Sequence, residues 1–220
     1  MRAMVLAAGR GERMRPLTDT TPKPLLEVNG RPLIAWHLER LQAAGIREVV
    51  INHGRLGHLI EQAIRDGKSY GLAIRYSAEG DDPLETGGGM HKALDLLGGQ
   101  PFIGINADIW TDYDCTRLPA GIRSLAHLVL VGNPPHNPDG DFALLDGCIH
   151  NTGAVCHTFS GIGVYHPDLF AGHGPGRYSL TPLLRAAADQ GRLSGELYNG
   201  IWQDVGTPER LAGIQSGRRE

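Results

Sequence analysis

Residues 6–18 read LAAGRGERMRPLT, and residues 22–24 read PKP. The apolar run 3–8 leads directly into a loop whose glycines let the backbone approach a polyphosphate closely and offer it N–H donors. Three arginines in this loop, and Lys23 between two prolines, oppose the negative charge of phosphate oxygens. The stretch therefore predicts a strand that ends in a binding loop for a nucleoside triphosphate.

Two common nucleotide-binding loops do not fit this stretch. It lacks the Gly-Lys-Ser/Thr of a P-loop, and Met14 stands at the third glycine of the GxGxxG dinucleotide fingerprint. The stretch instead resembles the signature of the sugar-1-phosphate nucleotidyltransferases, which reads LAAGxG(T/S)R(L/M)xPLT and is followed by PKP. Glu12 stands where that signature has Thr or Ser, so a hydroxyl is missing while the backbone cradle is kept.

The composition is that of an ordinary soluble globular protein, with 41% hydrophobic residues among 220 and a net charge of −3. This charge gives no basic field for nucleic acid or a membrane surface, and no apolar run approaches membrane-spanning length. The cysteines Cys115, Cys148 and Cys156 have no CxxC spacing and fit free thiols in a reducing compartment. We expect a cytoplasmic protein without nucleic-acid or membrane partners, acting as a monomer.

Short apolar runs alternate with helical patterns along the first part of the chain. The runs 3–6, 48–52, 73–76, 102–106 and 127–131 predict strands, and residues 33–44, 58–65 and 89–97 predict helices. This βαβ rhythm predicts an α/β fold with a doubly wound, mainly parallel sheet and helices on both faces. The resemblance implies its Rossmann-like, GT-A-like form, as a single domain whose nucleotide-binding half spans about 1–110 and whose sugar-binding half spans about 111–220.

The second half of the chain carries fewer regular signals. Residues 142–149 and 155–165 predict two further strands, and the loop 132–141 is expected to cover the site. Thr181-Pro182 and Thr207-Pro208 each predict a helix N-cap followed by proline at the first helical position.

Two acidic residues are candidate ligands for Mg²⁺. Asp108 follows the predicted strand 102–106, at the sheet edge where ligands bind in such folds, and carboxylates with phosphates are the usual Mg²⁺ ligands. A turn carboxylate that caps the next segment is the alternative. The string WQDVGTP at 202–208 resembles a family segment, which implies that Asp204 is the second Mg²⁺ ligand.

The resemblance also implies roles for individual residues. Lys23 would contact the α-phosphate and the sugar phosphate, Arg15 would hold the β- and γ-phosphates, and Asp108 completes the catalytic set. The string LETGGG at 84–89 implies a nucleobase pocket, and segments near 140 and 160 imply a sugar pocket. The substrate-binding residues so implied are Ala8, Gly9, Gly11, Glu12, Arg13, Lys23, Gly87, Gly88, Asn106, Gly140, Asp141 and Ser160.

Within the family, the chain most resembles short uridylyltransferases that act on N-acetylmuramate α-1-phosphate in cell-wall recycling. The implied reaction joins UTP and a sugar 1-phosphate into a UDP-sugar and pyrophosphate. Glucose 1-phosphate, mannose 1-phosphate or phosphocholine with CTP are alternative substrates, and a catalytically silent scaffold or an NAD-dependent dehydrogenase are alternatives of another class. Arg177, Arg185 and Arg192 are candidate cations for the lactyl carboxylate of N-acetylmuramate.

Overall fold

The computed structural model describes residues 1–216, in which strands and α-helices alternate as far as residue 106, and the strands from there to residue 165 follow one another without an α-helix between them. The strands are β1 (Arg2–Leu6), β2 (Glu27–Val28), β3 (Arg31–Pro32), β4 (Glu48–His53), β5 (Ala73–Ala78), β6 (Phe102–Asn106), β7 (Ile109–Thr111), β8 (Ala126–Val131), β9 (Phe142–Leu145), β10 (Cys148–His150), β11 (Cys156–Tyr165), β12 (Leu193–Tyr198) and β13 (Trp202–Asp204). The α-helices are α1 (Leu33–Ala43), α2 (Gly57–Ile64), α3 (Glu85–Leu97), α4 (Thr181–Asp189) and α5 (Pro208–Gln215).

Nine strands of the described chain form one sheet in the order β5-β4-β1-β6-β11-β8-β12-β10-β9. The β5-β4-β1-β6 part is parallel, as the βαβ rhythm predicts. The α/β class is thereby confirmed, but the sheet as a whole is mixed. The reason is β11, a ten-residue strand that lies antiparallel between β6 and β8 and joins the two halves of the chain in one sheet.

The predicted helices cover both faces of this sheet. Successive residues of β1 point to opposite sides, so Ala3 and Val5 pack with α1 and α2, whereas Met4 packs with α3 and α4. Each face therefore has its own apolar cluster. Both clusters contain side chains from the two halves of the chain, so the two halves share their core.

Several predicted boundaries differ in the structure. Residues 142–149 form the hairpin β9–β10 instead of one strand, because Asp146 and Gly147 take positive φ values of 50° and 76° and turn the chain. Thr207 caps α5 as predicted, its side chain accepting a hydrogen bond from the Arg210 N–H. Thr181 is the first residue of α4 instead of its cap.

Two smaller ribbons complete the described fold, β2–β3 and β7–β13. The β7–β13 ribbon is antiparallel and pairs Asp204 with Ile109. None of the helices in residues 1–216 is both long and apolar enough to cross a membrane.

Candidate active site

A cavity of about 540 Å³ opens at the carboxyl ends of the parallel strands. The loop after β1 forms one wall, the segment after β6 forms another, and residues from the ends of β4, β5 and the start of α3 close the remaining side. Ligands of such sheets bind at this edge. The predicted residues that line the cavity are Ala8, Gly9, Gly11, Glu12, Arg13, Lys23, Asn106 and Asp108.

The glycine loop takes its shape from Gly11. This residue has a φ of 64°, a left-handed conformation that glycine adopts without steric cost, and its carbonyl accepts a 2.8 Å hydrogen bond from the Thr18 hydroxyl. A Cβ at position 11 would lie 3.0 Å from the Thr18 Cγ2 atom. The loop therefore folds back on residues 14–18 and turns its backbone toward the cavity.

Lys23 and Asp108 form an ion pair in the cavity wall. The Lys23 ammonium lies 2.7 Å from the Asp108 Oδ2 atom, and the side chains are 9% and 41% exposed. Lys23 starts a 3-10 helix between Pro22 and Pro24, and these rings restrict the backbone that carries it. The sequence places the two residues 85 positions apart, and the fold brings them into contact.

A second polar network lies at the ends of β4 and β5. The Asn52 side-chain Oδ1 atom accepts a 2.8 Å hydrogen bond from the Ala7 N–H, and the Asn52 Nδ2 atom donates to the Glu79 carboxylate at 2.7 Å. Glu79 also accepts from the Leu84 N–H at 2.7 Å. Asn52 and Glu79 both line the cavity, and our sequence analysis missed them. Their positions in the sequence could have identified them, because Asn52 is the last residue of the predicted strand 48–52 and Glu79 lies three residues after the predicted strand 73–76.

Asp204 is brought close to Asp108 through the backbone of the β7–β13 ribbon. The Val205 N–H donates a 2.8 Å hydrogen bond to the Asp108 carbonyl. The Asp204 Oδ1 atom pairs with Arg210 of α5 and lies 3.3 Å from the His136 Nε2 atom. Asp204 lines a neighbouring cavity of about 510 Å³, which is bounded by residues 131–136 and 198–204.

The two predicted metal ligands stand at different cavities, since Asp108 lines the larger one and Asp204 lines the neighbouring one. Among the described residues, no group of three or more His, Cys, Asp or Glu side chains could hold a metal by itself. Mg²⁺ characteristically uses one or two carboxylates together with phosphates and water. Gly206 lines the larger cavity, and a Cβ there would lie 2.9 Å from the Asp204 Oδ2 atom, so glycine at this position leaves that oxygen uncovered.

Arg15 lies outside the cavity wall. Its side chain is 58% exposed, and its Nε atom lies 3.4 Å from the Asp19 carboxylate. Arg13 lines the cavity instead, and its Nη2 atom would lie 3.5 Å from a Cβ at Gly206. Arg10 also lines the cavity, and its Nη2 atom lies 2.8 Å from the Asp82 carboxylate.

Gly87 and Gly88 do not lie in a loop before the helix. They are buried in the first turns of α3, which begins at Glu85, four residues earlier than predicted. The two residues that precede them, Glu85 and Thr86, line the cavity instead. The periodicity missed this start because three successive glycines carry no side chains to show a helical pattern.

Gly140, Asp141 and Ser160 of the predicted sugar pocket are not among the residues that line the larger cavity. The buried Ser160 hydroxyl donates to the Val129 carbonyl at 2.6 Å, and the Asp141 carboxylate accepts from the Phe159 N–H at 2.8 Å. A Cβ at Gly140 would lie 2.7 Å from the Cys156 backbone, so this glycine permits close packing of two chain segments.

A buried histidine supports the strand that follows Asp108. The His37 Nε2 atom of α1 lies 3.0 Å from the Ile109 carbonyl oxygen, which accepts its N–H. Burial, reinforced by the nearby Arg40 charge, lowers the pKa of His37 to about 4, although the hydrogen bond and Asp108 act in the opposite direction. The imidazole is therefore neutral at physiological pH.

Comparisons with known proteins agree with this geometry. Residues 2–147 match the family described as Nucleotidyl transferase. N-acetylmuramate alpha-1-phosphate uridylyltransferase of Neisseria meningitidis serogroup B is 54% identical over 225 residues, covering 98% of this chain and 97% of that protein. The protein of the same name from Caulobacter vibrioides is 36% identical, covering 94% and 92%. A crystal structure of UDP-glucose pyrophosphorylase complexed with UDP-glucose shares the fold, with a TM-score of 0.75 at 18% identity, covering 98% of this chain and 97% of that chain.

Proposed function

We propose that this chain, which belongs to the nucleotidyl transferase family, transfers UMP from UTP to N-acetylmuramate α-1-phosphate and releases pyrophosphate. The product would be a UDP-sugar for peptidoglycan recycling. The Neisseria and Caulobacter relatives supply the identity of the substrates. The observation that supports the reaction class best is the Lys23–Asp108 ion pair, which lies in one cavity with the glycine loop.

The chemistry needs charge neutralisation and alignment more than proton transfer. An oxygen of the sugar phosphate attacks the α-phosphorus of UTP in line, and the bond from that phosphorus to the β-phosphate oxygen breaks. The attacking oxygen is already anionic near neutral pH, so no general base is required. The Lys23 ammonium would stay beside the α-phosphate as charge develops, while backbone N–H groups of residues 8–11 orient the triphosphate.

Members of this family generally use a divalent metal. We propose Mg²⁺, held by Asp108 and Asp204 together with the substrate phosphates. When bound, such an ion polarises the phosphoryl oxygens as a Lewis acid. We further propose that the nucleotide binds in the half formed by about 1–110, that the sugar binds in the half formed by about 111–220, and that the protein acts as a cytoplasmic monomer.

Pyrophosphate release in a matrix of substrates tests the proposal. Each of UTP, dTTP, CTP and GTP is paired with N-acetylmuramate α-1-phosphate, glucose 1-phosphate, mannose 1-phosphate or phosphocholine. The proposal predicts that UTP with N-acetylmuramate α-1-phosphate gives the highest kcat/KM. A different best pair would keep the reaction class and reject the substrate, and no release with any pair from folded protein would reject both.

A further inference from the structure

The loop 172–180 of the second half packs onto the first turn of α3 beside the larger cavity. Two backbone hydrogen bonds join them, from the Gly88 N–H to the Tyr178 carbonyl at 3.0 Å and from the Tyr178 N–H to the Leu84 carbonyl at 3.1 Å. The Tyr178 hydroxyl lies 2.7 Å from the His91 Nδ1 atom, one turn further along α3. The loop is thus held at three points.

The glycines of α3 make this close approach possible. A Cβ at Gly87 would lie 2.6 Å from the Tyr178 ring, and a Cβ at Gly88 would overlap the Gly176 carbonyl oxygen. Real Cβ atoms essentially never make such contacts, so any larger residue at position 88 would force the loop outward. The GGG string therefore has a packing role between α3 and the loop.

The loop carries one cation to the cavity wall. Arg177 lines the larger cavity, and its Nε atom lies 3.0 Å from the Glu85 Oε1 atom. The Arg177 side chain is 64% exposed, so its guanidinium is accessible to a ligand. Exposed ion pairs of this kind are weak, typically about 0–1 kcal/mol, so Glu85 competes only modestly with a charged ligand.

We infer that Arg177 binds an anionic group of the sugar 1-phosphate, an inference that rests on the proposed function. Two anionic substrates must share the site, and the other cations of the larger cavity, Arg10, Arg13 and Lys23, all come from the first wall. Arg177 comes from the loop 172–180 in the other half of the chain and lies beside Glu85 at the start of α3. A planar guanidinium matches phosphate and carboxylate oxygens equally well, so the group is either the phosphate or the lactyl carboxylate.

The other two arginines considered for this role lie differently. Arg185 of α4 lies over the Phe142 ring, with its Cζ atom 5.1 Å from the ring centroid, and it is not part of the wall of either cavity described above. Arg192 precedes β12 and is likewise outside both walls. Arg177 is therefore the candidate that the fold brings to the substrates.

Steady-state kinetics of Arg177→Gln and Arg177→Lys test this inference, with Arg185→Gln as the matched loss of one arginine from the same half. We expect Arg177→Gln to raise KM for the sugar 1-phosphate about tenfold, the effect of losing one charge-assisted hydrogen bond, while KM for UTP stays within twofold. Arg177→Lys should recover part of the loss, and Arg185→Gln should match the wild type. An unchanged sugar KM, or a rise confined to UTP, would overturn the inference.

A comparison of two sugars identifies the anionic group. N-acetylglucosamine α-1-phosphate has the phosphate but lacks the lactyl carboxylate. An equal loss of affinity for both sugars assigns Arg177 to the phosphate, whereas a loss limited to N-acetylmuramate α-1-phosphate assigns it to the carboxylate. Either pattern supports the inference, and a loss for neither sugar rejects it.

The packing role of Gly88 is tested by a double-mutant cycle. If Gly88→Ala acts by displacing Arg177, its rise in sugar KM should not add to that of Arg177→Gln, and the double variant should resemble Gly88→Ala alone. Additive effects would show that the loop does not act through Arg177. Tyr178→Phe, which removes only the hydroxyl contact to His91, replaces Gly88→Ala in the cycle if the latter does not fold.

Calorimetric binding separates this inference from the proposed function. The sugar 1-phosphate that gives the highest wild-type activity in the substrate matrix is titrated into wild type and Arg177→Gln without UTP. If another sugar than N-acetylmuramate α-1-phosphate proves best, the proposed substrate fails while the role of Arg177 is still tested on the phosphate. Equal dissociation constants for wild type and variant would reject the role whichever sugar is used.

Discussion

At the scale of single residues, the site depends on a lysine that is almost completely buried. The Lys23 side chain is 9% exposed, and its ammonium is oriented by the Asp108 carboxylate at 2.7 Å. Because the Lys23 ammonium is already enclosed and paired with Asp108, its position is fixed before a triphosphate binds. Such preorganisation is the main way in which charged groups speed phosphoryl chemistry.

We predict that Lys23→Ala lowers kcat by about 10²–10³-fold, as typical for the loss of one preorganised charge. Pyrophosphate release under saturating substrates measures the effect. Lys68→Ala is the control, because Lys68 is an exposed lysine that pairs with Asp66 on the surface. Turnover near the wild-type value from folded Lys23→Ala would contradict the role of Lys23.

We expect Asp108→Asn to abolish most turnover as well, because it removes both the partner of Lys23 and a proposed metal ligand. The Asn side chain keeps the size of Asp but leaves the buried Lys23 ammonium without its counter-charge, so the thermal unfolding midpoint should fall and activity is measured where the variant is folded. The expected result is a loss of most kcat at the Mg²⁺ concentration that saturates the wild type. Wild-type turnover of the folded variant under those conditions would argue against a direct role.

A third residue-scale prediction concerns His37 and pH. Its pKa is 6.5 in a solvated reference and about 4 in the fold, so the unfolded chain binds the proton first as pH falls. The folded state therefore loses stability below pH 6.5, by on the order of 3 kcal/mol at pH 4 from this residue. Chemical unfolding of wild type and His37→Gln at pH 6.5 and at pH 4 measures how much unfolding free energy each protein loses between the two pH values. Equal pH dependence of the two proteins would contradict the assignment.

Among single residues, Lys23 and Asp108 could be predicted because each stands at a recognisable position, a proline-flanked loop and the end of a strand. Arg15 could not be placed in the same way, because the direction of a long exposed side chain is not encoded in spacing. Asn52 and Glu79 are accessible to the same strand-end argument that identified Asp108, and applying it to every strand would have found them.

At the scale of elements, α5 is tied to the site because it begins four residues after Asp204 and carries Arg210. Thr207 accepts the capping hydrogen bond of this helix, whereas Thr181 of α4 makes no such bond. We predict that Thr207→Ala costs about 1 kcal/mol of unfolding free energy and that Thr181→Ala costs less. Urea unfolding of both variants decides this. A larger loss for Thr181→Ala would contradict the assignment of the caps.

Elements with local signals were predicted and elements with non-local causes were not. Helices α1 and α2 follow from apolar spacing and flanking breakers, and their observed bounds differ from the predicted ones by one residue at most. The antiparallel insertion of β11 depends on pairing with β6 and β8, which lie far away in sequence. No periodicity within residues 156–165 specifies those partners, so the mixed sheet could not be predicted.

At the scale of the whole molecule, the two halves of the chain meet in one sheet. The larger cavity is lined mainly by residues before 109, and Arg177 and Gly206 are the lining residues that come from the second half. A site assembled in this way can bring two substrates together. Among the described residues, no group of three or more His, Cys, Asp or Glu side chains could hold a metal by itself, and we propose that substrate phosphates complete the metal site.

Removal of divalent metal should therefore affect activity without affecting the fold. We predict that EDTA abolishes pyrophosphate release while the thermal unfolding midpoint of the substrate-free protein stays constant. Adding UTP and Mg²⁺ together should raise the midpoint, because a ligand that binds only the folded state stabilises it. Activity that persists in EDTA, or a midpoint that drops on chelation alone, would contradict the proposed metal site.

Transfer of UMP to N-acetylmuramate α-1-phosphate is tested by mass spectrometry of the products formed from UTP, this sugar phosphate and Mg²⁺. We expect UDP-N-acetylmuramate and pyrophosphate in equal amounts, both absent with the Asp108→Asn variant. UTP and sugar phosphate left unchanged by folded wild-type protein would contradict the proposed transfer.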